Sequence, residues 1–100
     1  MLEPQDHLAL AANLYEQGLV EDLLGNRGRA RELANRSLEV ALATEDPVMH
    51  GCAWRLLGDL SSPGHAEEAR RCYGEARRAF ERAGDEVACR EIDERLASLG

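Results

Sequence analysis

Apolar residues recur along this chain at steps of three and four, the spacing that lines side chains along one face of an α-helix. Residues 5–24 carry such a stripe in Leu8, Ala11, Ala12, Tyr15, Leu19 and Leu23. The run Gly25-Asn26-Arg27-Gly28 follows. Glycine and asparagine adopt left-handed backbone angles at little cost, so the helix is expected to end there. A second stripe, Ala30, Ala34, Ser37, Leu38 and Ala41, predicts a helix over 29–44. Asp46-Pro47 reads as a helix start, because the carboxylate accepts from first-turn N–H groups and proline has no N–H to lose at the first helical position. The third helix, over 47–60, carries Val48, Cys52, Trp54, Leu56, Leu57 and Leu60. Beyond Ser61-Ser62-Pro63-Gly64 a fourth spans 64–83, with Ala69, Cys72, Tyr73, Ala76, Phe80 and Ala83 inward. On its outer side Glu67 and Arg71, and Arg77 and Glu81, stand four apart and are spaced for ion pairs. Gly84-Asp85 joins a stop to a new cap, and Ala88, Ile92, Leu96 and Leu99 stripe a fifth helix over 86–98. The connections are short, as between antiparallel neighbours.

The pattern repeats. Leu14, Gly18, Gly25, Ala30, Ala34 and Asp46 are matched by Trp54, Gly58, Gly64, Ala69, Tyr73 and Asp85, at offsets of 40, 40, 39, 39, 39 and 39. One residue is missing between Gly58 and Ala69. A helical period of this length marks an array in which each unit is a pair of antiparallel helices. The expected fold is therefore all-α, with repeat one over about 5–46, repeat two over about 47–84 and a capping helix over about 85–99.

The residues Trp54-Arg55-Leu56-Leu57-Gly58, followed by Ala69, Tyr73 and Ala76, resemble the tetratricopeptide repeat family in its long-helix variety, as found in bacterial signalling ATPases and regulators. The physical sense is that Trp54 wedges between paired helices while Gly58 and Ala69 let their backbones approach. The first unit is a degenerate version, with Leu14 at the tryptophan position and Gly18 and Ala30 as the small pair. There are departures. The units exceed the usual length of about 34 residues, and Glu21 and Ser61 stand where an aromatic is usual. Two units also fall short of the roughly three that give independent stability. The fifth helix supplies the missing packing, the chain self-associates, or it belongs to a longer array.

Composition narrows the classes. Hydrophobic residues make up 44% and aromatics 4%, a balance that favours helices packed through small side chains over sheet. The net charge is −7 and all twelve cations are arginine. An acidic chain is a poor match for phosphate backbones or anionic membranes, so neither nucleic acid nor membrane is an expected partner. Arginine in place of lysine is the coding bias of a GC-rich genome and suggests a bacterial source. No apolar run is long enough to span a bilayer. The start, Met1-Leu2-Glu3-Pro4-Gln5-Asp6, is acidic and lacks a signal-peptide pattern. Three cysteines, an odd number, point to a reducing compartment, and the cytoplasm is expected.

No phosphate loop, nucleophile elbow or convergent carboxylate pair is evident, so the chain is read as non-enzymatic, with no cofactor and no metal. His50-Gly51-Cys52 is too closely spaced for a helical ligand pair, while Cys52 and Cys72 fall level if the third and fourth helices reverse near residue 62. Burial as small hydrophobes is the simpler fate of the cysteines. The family resemblance implies that the first helix of each unit lines a concave face holding a partner's peptide or helix. By register that face presents Ala12, Tyr15, Leu19 and Asp22, then Cys52, Arg55 and Asp59. The candidate partner-binding residues are Tyr15, Leu19, Asp22, Arg55 and Asp59: Tyr15 a flat anchor, Arg55 a two-pronged carboxylate clamp. The alternative is that Tyr15 covers core and Arg55 pairs with Asp59 one turn away. The expected partner is a protein or peptide, with a homodimer or a sensor role within a larger regulator as the other possibilities.

Overall fold

The computed structural model describes residues 3–99. Met1 and Leu2, part of the acidic start, lie outside them, as does Gly100. Five helices follow one another: α1 Pro4–Leu23, α2 Arg27–Leu42, α3 Pro47–Ser61, α4 Ala66–Ala83 and α5 Glu86–Ser98. No strand occurs among the described residues, and no helix among them is long and apolar enough to cross a membrane. The chain is an all-α array of antiparallel hairpins.

The helix ends are set by the residues that the chain pattern marks. Asp46 accepts from the Met49 N–H at 3.1 Å and Asp85 from the Ala88 N–H at 3.0 Å, each satisfying a donor that the helix leaves open. Gly84 closes α4 with φ of 71°, a left-handed angle that strains any residue with a Cβ. The turn from α2 to α3 is tied by His50. Its Nε2 lies 2.8 Å from the Ala41 carbonyl and 2.9 Å from that of Thr44. Both partners only accept, so Nε2 carries the proton and donates.

Packing runs along the chain: α1 on α2, α2 on α3, α3 on α4 and α4 on α5, with α1 also reaching α3. Trp54 binds the layers together by packing against both the Ala30, Ala34 and Leu56 cluster and the Tyr73, Phe80 and Ile92 cluster. Arg27 and Arg31 of α2 donate to the Leu60 carbonyl at 2.9 and 3.1 Å. They place two cations at the C-terminus of α3, where the helix dipole is negative.

The repeat continues one helix further than the paired units. Relative to α3, Asp85 takes the place of Asp46, Val87 of Val48, Ile92 of Ala53, Leu96 of Leu57 and Leu99 of Leu60, all at an offset of 39. α5 is thus a third first-helix, and Ala88 and Ile92 are buried against Tyr73 and Phe80. The outward edges of the array differ from its interior. Where α3 buries Ala53, Leu57 and Leu60, α1 carries Asn13, Gln17 and Val20 along an open groove of about 370 Å³, which also includes Glu16, Glu21 and Arg29. Gln17 donates to Asn13 at 2.6 Å across this edge. At the other end the groove between α4 and α5 is lined by Arg77, Glu81, Asp85, Arg90 and Asp93. Both edges are dressed for solvent, the arrangement that keeps a repeat array from presenting bare core.

Two expectations need correction. The stripe of α1 that packs on α2 is Ala11, Leu14 and Gly18, turned about a quarter of the helix circumference from the Leu8–Leu23 stripe. Leu23 is 87% exposed, and Leu19 is also exposed. The small residues Ala11 and Gly18 draw the backbone of α2 onto their side, so Leu19 and Leu23 are left outside the contact while Leu8, Ala12 and Tyr15 pack at its edge. The outer ion pairs of α4 also divide: Arg77 meets Glu81 at 3.0 Å, whereas Glu67 and Arg71 form no ion pair among the described residues. Glu68 turns instead to Arg31 of α2 at 3.8 Å.

Candidate functional site

α3 is enclosed on nearly every side. Its buried residues include Met49, Ala53, Leu56, Leu57, Gly58 and Leu60; along one stripe Val48 is exposed and Cys52, Arg55 and Asp59 are half-buried, as are His50 and Trp54 beside it. The same register positions on α1 are Leu8, Ala12, Tyr15 and Leu19, and on α5 they are Val87, Glu91, Glu94 and Ser98. The three first-helices therefore present four cross-helix rows. The row nearest their N-termini is apolar throughout, with Leu8 half-buried, Val48 45% exposed and Val87 58% exposed. The next contains Cys52. The third holds Tyr15 and Arg55, and the last Leu19 and Asp59.

The polar residues of this face are held by different means. Arg55 lies with its guanidinium carbon 5.4 Å from the centre of the Phe80 ring, an attraction between the cation and the negative ring face. Its Nη2 donates to the Tyr15 hydroxyl at 3.3 Å and lies 3.8 Å from the Cys52 sulfur. Burial works against the Arg55 cation, but the bond to the Tyr15 oxygen together with the electrostatic influence of Tyr15, Cys52 and Glu91 moves its pKa up. Burial likewise pushes the Cys52 thiol up, with the Arg55 charge opposing, so Cys52 is a protonated side chain of the floor, not a reactive thiolate.

Asp59 faces the other way. Its Oδ1 accepts from the Tyr73 hydroxyl at 2.5 Å and from Arg95 Nε at 2.9 Å. This links α3 to α4 and α5, and burial together with the Asp59 bond raises the Tyr73 pKa. Arg55 and Asp59, one turn apart, do not pair with each other. Asp22 is taken by Arg27 at 3.5 Å, beside the joint of α1 and α2, and Leu19 is exposed at the lower edge.

Of the five candidates, the structure brings Tyr15 and Arg55 together and leaves Leu19 on the same open face. It commits Asp59 to the seam with α5 and Asp22 to the first joint. Val48 and Val87 were overlooked as face residues. Their signal was available in the offset of 39, which extends the repeat to α5 once that helix is aligned on Asp85 and not treated as a separate cap.

The cysteines do not form a site. Cys52, Cys72 and Cys89 are free thiols, with Cys72 in the core beside Leu56 and Leu57 and Cys52 at the edges of the other two clusters. The pairing considered for Cys52 and Cys72 is not made, because the two sulfurs serve different clusters. Among the described residues no group of three or more potential ligands could hold a metal ion. Comparison with protein-family models, with curated proteins and with solved structures finds no match to this chain.

Proposed function

We propose that this protein is a non-enzymatic interaction module that holds a peptide or helix of a partner across the face formed by α1, α3 and α5. The observation that carries this reading is the apolar row of Leu8, Val48 and Val87, one residue from each first-helix and all in register. Side chains exposed singly on a surface need no explanation, but an apolar row repeated in register on three helices is what a ligand crossing them would meet. The tetratricopeptide-like reading of the repeat supports the same use of the face, and the free thiols fit a bacterial cytoplasm. Tyr15 and Arg55 are the polar anchors, while Asp59 and Asp22 keep the face in shape.

The test is selection of 12-residue peptides from a displayed random library on the wild-type protein, followed by binding to V48R/V87R. The reading predicts peptides that bind the wild type saturably and lose most of their affinity on the double variant. Peptides indifferent to both substitutions contradict it. A second use, self-association, is favoured by Leu23 and Leu24 at the end of α1, 87% and 66% exposed. Loss of a dimer in L23E/L24E, with peptide binding intact, would assign that end to self-association.

A further inference from the structure

The outer edge of α1, away from the first-helix face, changes character along its length. Asn13, Gln17, Val20 and Leu24 follow one another at steps of four, three and four, and so lie on one line of the helix. The polar dress of this edge ends at Gln17. Beyond it Val20, Leu23 and Leu24 are all exposed, an apolar patch confined to one end of an otherwise polar edge.

The array itself shows how such a line is covered. The equivalents of Asn13, Gln17 and Val20 on α3, at an offset of 40, are Ala53, Leu57 and Leu60, all of them buried. Leu57 and Leu60 share a cluster with Ala30 and Ala34 of α2. Arg27 and Arg31 of the same helix donate to the Leu60 carbonyl. The helix seated on α3 therefore joins an apolar stripe to arginines that meet the negative end of its neighbour. On α1 the corresponding line is open, with Val20 and Leu24 both more than half exposed.

The charge of α1 is one-sided as well. It carries Asp6, Glu16, Glu21 and Asp22 and no arginine or lysine. Glu21 and Asp22 stand in its last turn, at the negative end of the helix dipole, where a cation is favoured. Asp22 has Arg27 at 3.5 Å. Glu21 accepts from the neutral Asn26 amide at 3.1 Å, and Glu16 has no ion pair among the described residues. Arg29, which lines the same groove from α2, is turned to Glu32 at 3.3 Å. Apolar exposure alone admits a second copy of the chain, but charge selects against it. A two-fold contact of this end with itself would set Glu16, Glu21 and Asp22 against the same three residues.

We propose that the end of α1 from Gln17 to Leu24 is a docking surface for a partner's amphipathic helix, one whose apolar stripe is flanked by arginine or lysine. The partner helix covers Val20 and Leu24 as α2 covers Leu57 and Leu60, and its cations meet Glu16, Glu21 and the open end of α1. This surface is separate from the row of Leu8, Val48 and Val87, and its use does not depend on that row.

The probes are acetylated and amidated peptides of 16 residues, the length of α2, with leucine at steps of three and four along one helical face. One carries arginine on both sides of that face. A second has glutamate in place of arginine, and a third keeps arginine but has alanine for leucine. Each is titrated with the full chain by fluorescence anisotropy at constant ionic strength. The arginine-leucine peptide is expected to bind saturably and more tightly than either control. V20Q/L24Q alters exposed residues and no charge, and is expected to weaken binding about tenfold or more, since burial of a single aliphatic side chain is worth that much. E16Q/E21Q weakens it about threefold, the size of partly exposed ion pairs. E45Q/E94Q makes the same change of net charge away from this edge and leaves binding in place.

Absence of saturable binding, a control peptide that binds as tightly, or indifference to V20Q/L24Q overturns the proposal. Equal losses in E16Q/E21Q and E45Q/E94Q also overturn it, because the attraction is then diffuse. So does a wild-type dimer that V20Q/L24Q takes apart, which would give this end to a second copy. V48R/V87R is expected to leave most of the binding intact. If that variant abolishes it, the peptide sits on the first-helix face, and this proposal falls while the reading of that face stands.

Discussion

The two hairpins bring their helices together by opposite means. In the first, a Cβ placed on Gly18 would lie 3.5 Å from the Ala30 carbonyl oxygen and 3.7 Å from the Ala34 nitrogen. The backbones of α1 and α2 approach through small residues, and buried Ser37 donates to the Ala11 carbonyl at 2.8 Å across the joint. In the second, the register equivalent Gly58 lies under the Tyr73 ring, and Gly51, seven residues earlier, lies under Phe80. Here glycine does not bring backbones together but forms a notch that takes an aromatic ring. The difference follows from two positions, Ala34 and Ala41 in the first hairpin against Tyr73 and Phe80 in the second. The consequence is that the second hairpin carries the larger part of the core and the seat for α5, since Tyr73 and Phe80 are also the rings that Ala88 and Ile92 pack upon.

That contrast makes Phe80→Ala the largest expected effect. Phe80 is 1% exposed, and removing a buried phenyl ring costs about 3–5 kcal/mol. Chemical denaturation should show the loss, and α5 should gain amide exchange before α1 does. A loss below about 1 kcal/mol would mean that the second hairpin does not depend on its rings.

The paired substitutions Gly58→Ala and Gly18→Ala sharpen the comparison most, because the same change falls at the same register position. At Gly58 the new methyl meets the Tyr73 ring at 2.5 Å, and overpacking of this kind costs about 1–3 kcal/mol. At Gly18 it meets the mobile end of Leu56 at 3.1 Å. Leu56 can give way, and the helix propensity gained over glycine, about 1 kcal/mol, offsets the crowding. Thermal unfolding should therefore show a large fall for Gly58→Ala and little change for Gly18→Ala. Equal falls would mean that the two hairpins are packed alike.

Next comes Asp59→Asn, which weakens the tie from α3 to Tyr73 and Arg95. The groups are partly exposed, so after solvent screening the expected loss is about 1 kcal/mol or less. Its sharper readout is local: exchange in α5 should quicken while α1 and α2 are unchanged.

The smallest effect is at Asp93, whose pKa is held below the usual carboxylate range by Arg77. A depressed folded-state pKa contributes stability above the unfolded value and loses it as pH falls through the folded one. Asp93→Asn should lower stability slightly near neutral pH, where the Arg77 pair contributes, and flatten its decline in acid. A variant as acid-sensitive as the wild type would contradict this.

The helices and their ends were legible in the sequence because they are local. Asp46-Pro47, Gly84-Asp85 and the three-four spacing act within a turn of where they stand. The repeat was legible as well, since Gly18 and Gly58 recur with their partners. What the pattern concealed was which stripe of α1 faces inward. Leu8, Leu19 and Leu23 outweigh Ala11 and Gly18 in hydrophobicity, yet the smaller residues win because close backbone approach buries more than the leucines alone could. The fate of Asp59 was hidden for a related reason. Its partners, Tyr73 and Arg95, come from two other helices, and spacing within α3 could only offer Arg55. In the candidate face, Tyr15 and Arg55 were reachable from register, whereas the role of Val87 required α5 to be seen as a third first-helix.

The measurement that bears most directly on an open first-helix face is the solution mass of the wild type and of V48R/V87R by light scattering over a range of concentrations. The account predicts the same mass for both, with the face free in each. A wild-type dimer that falls to a monomer in V48R/V87R would contradict it, because a second copy would then already occupy the row of Leu8, Val48 and Val87.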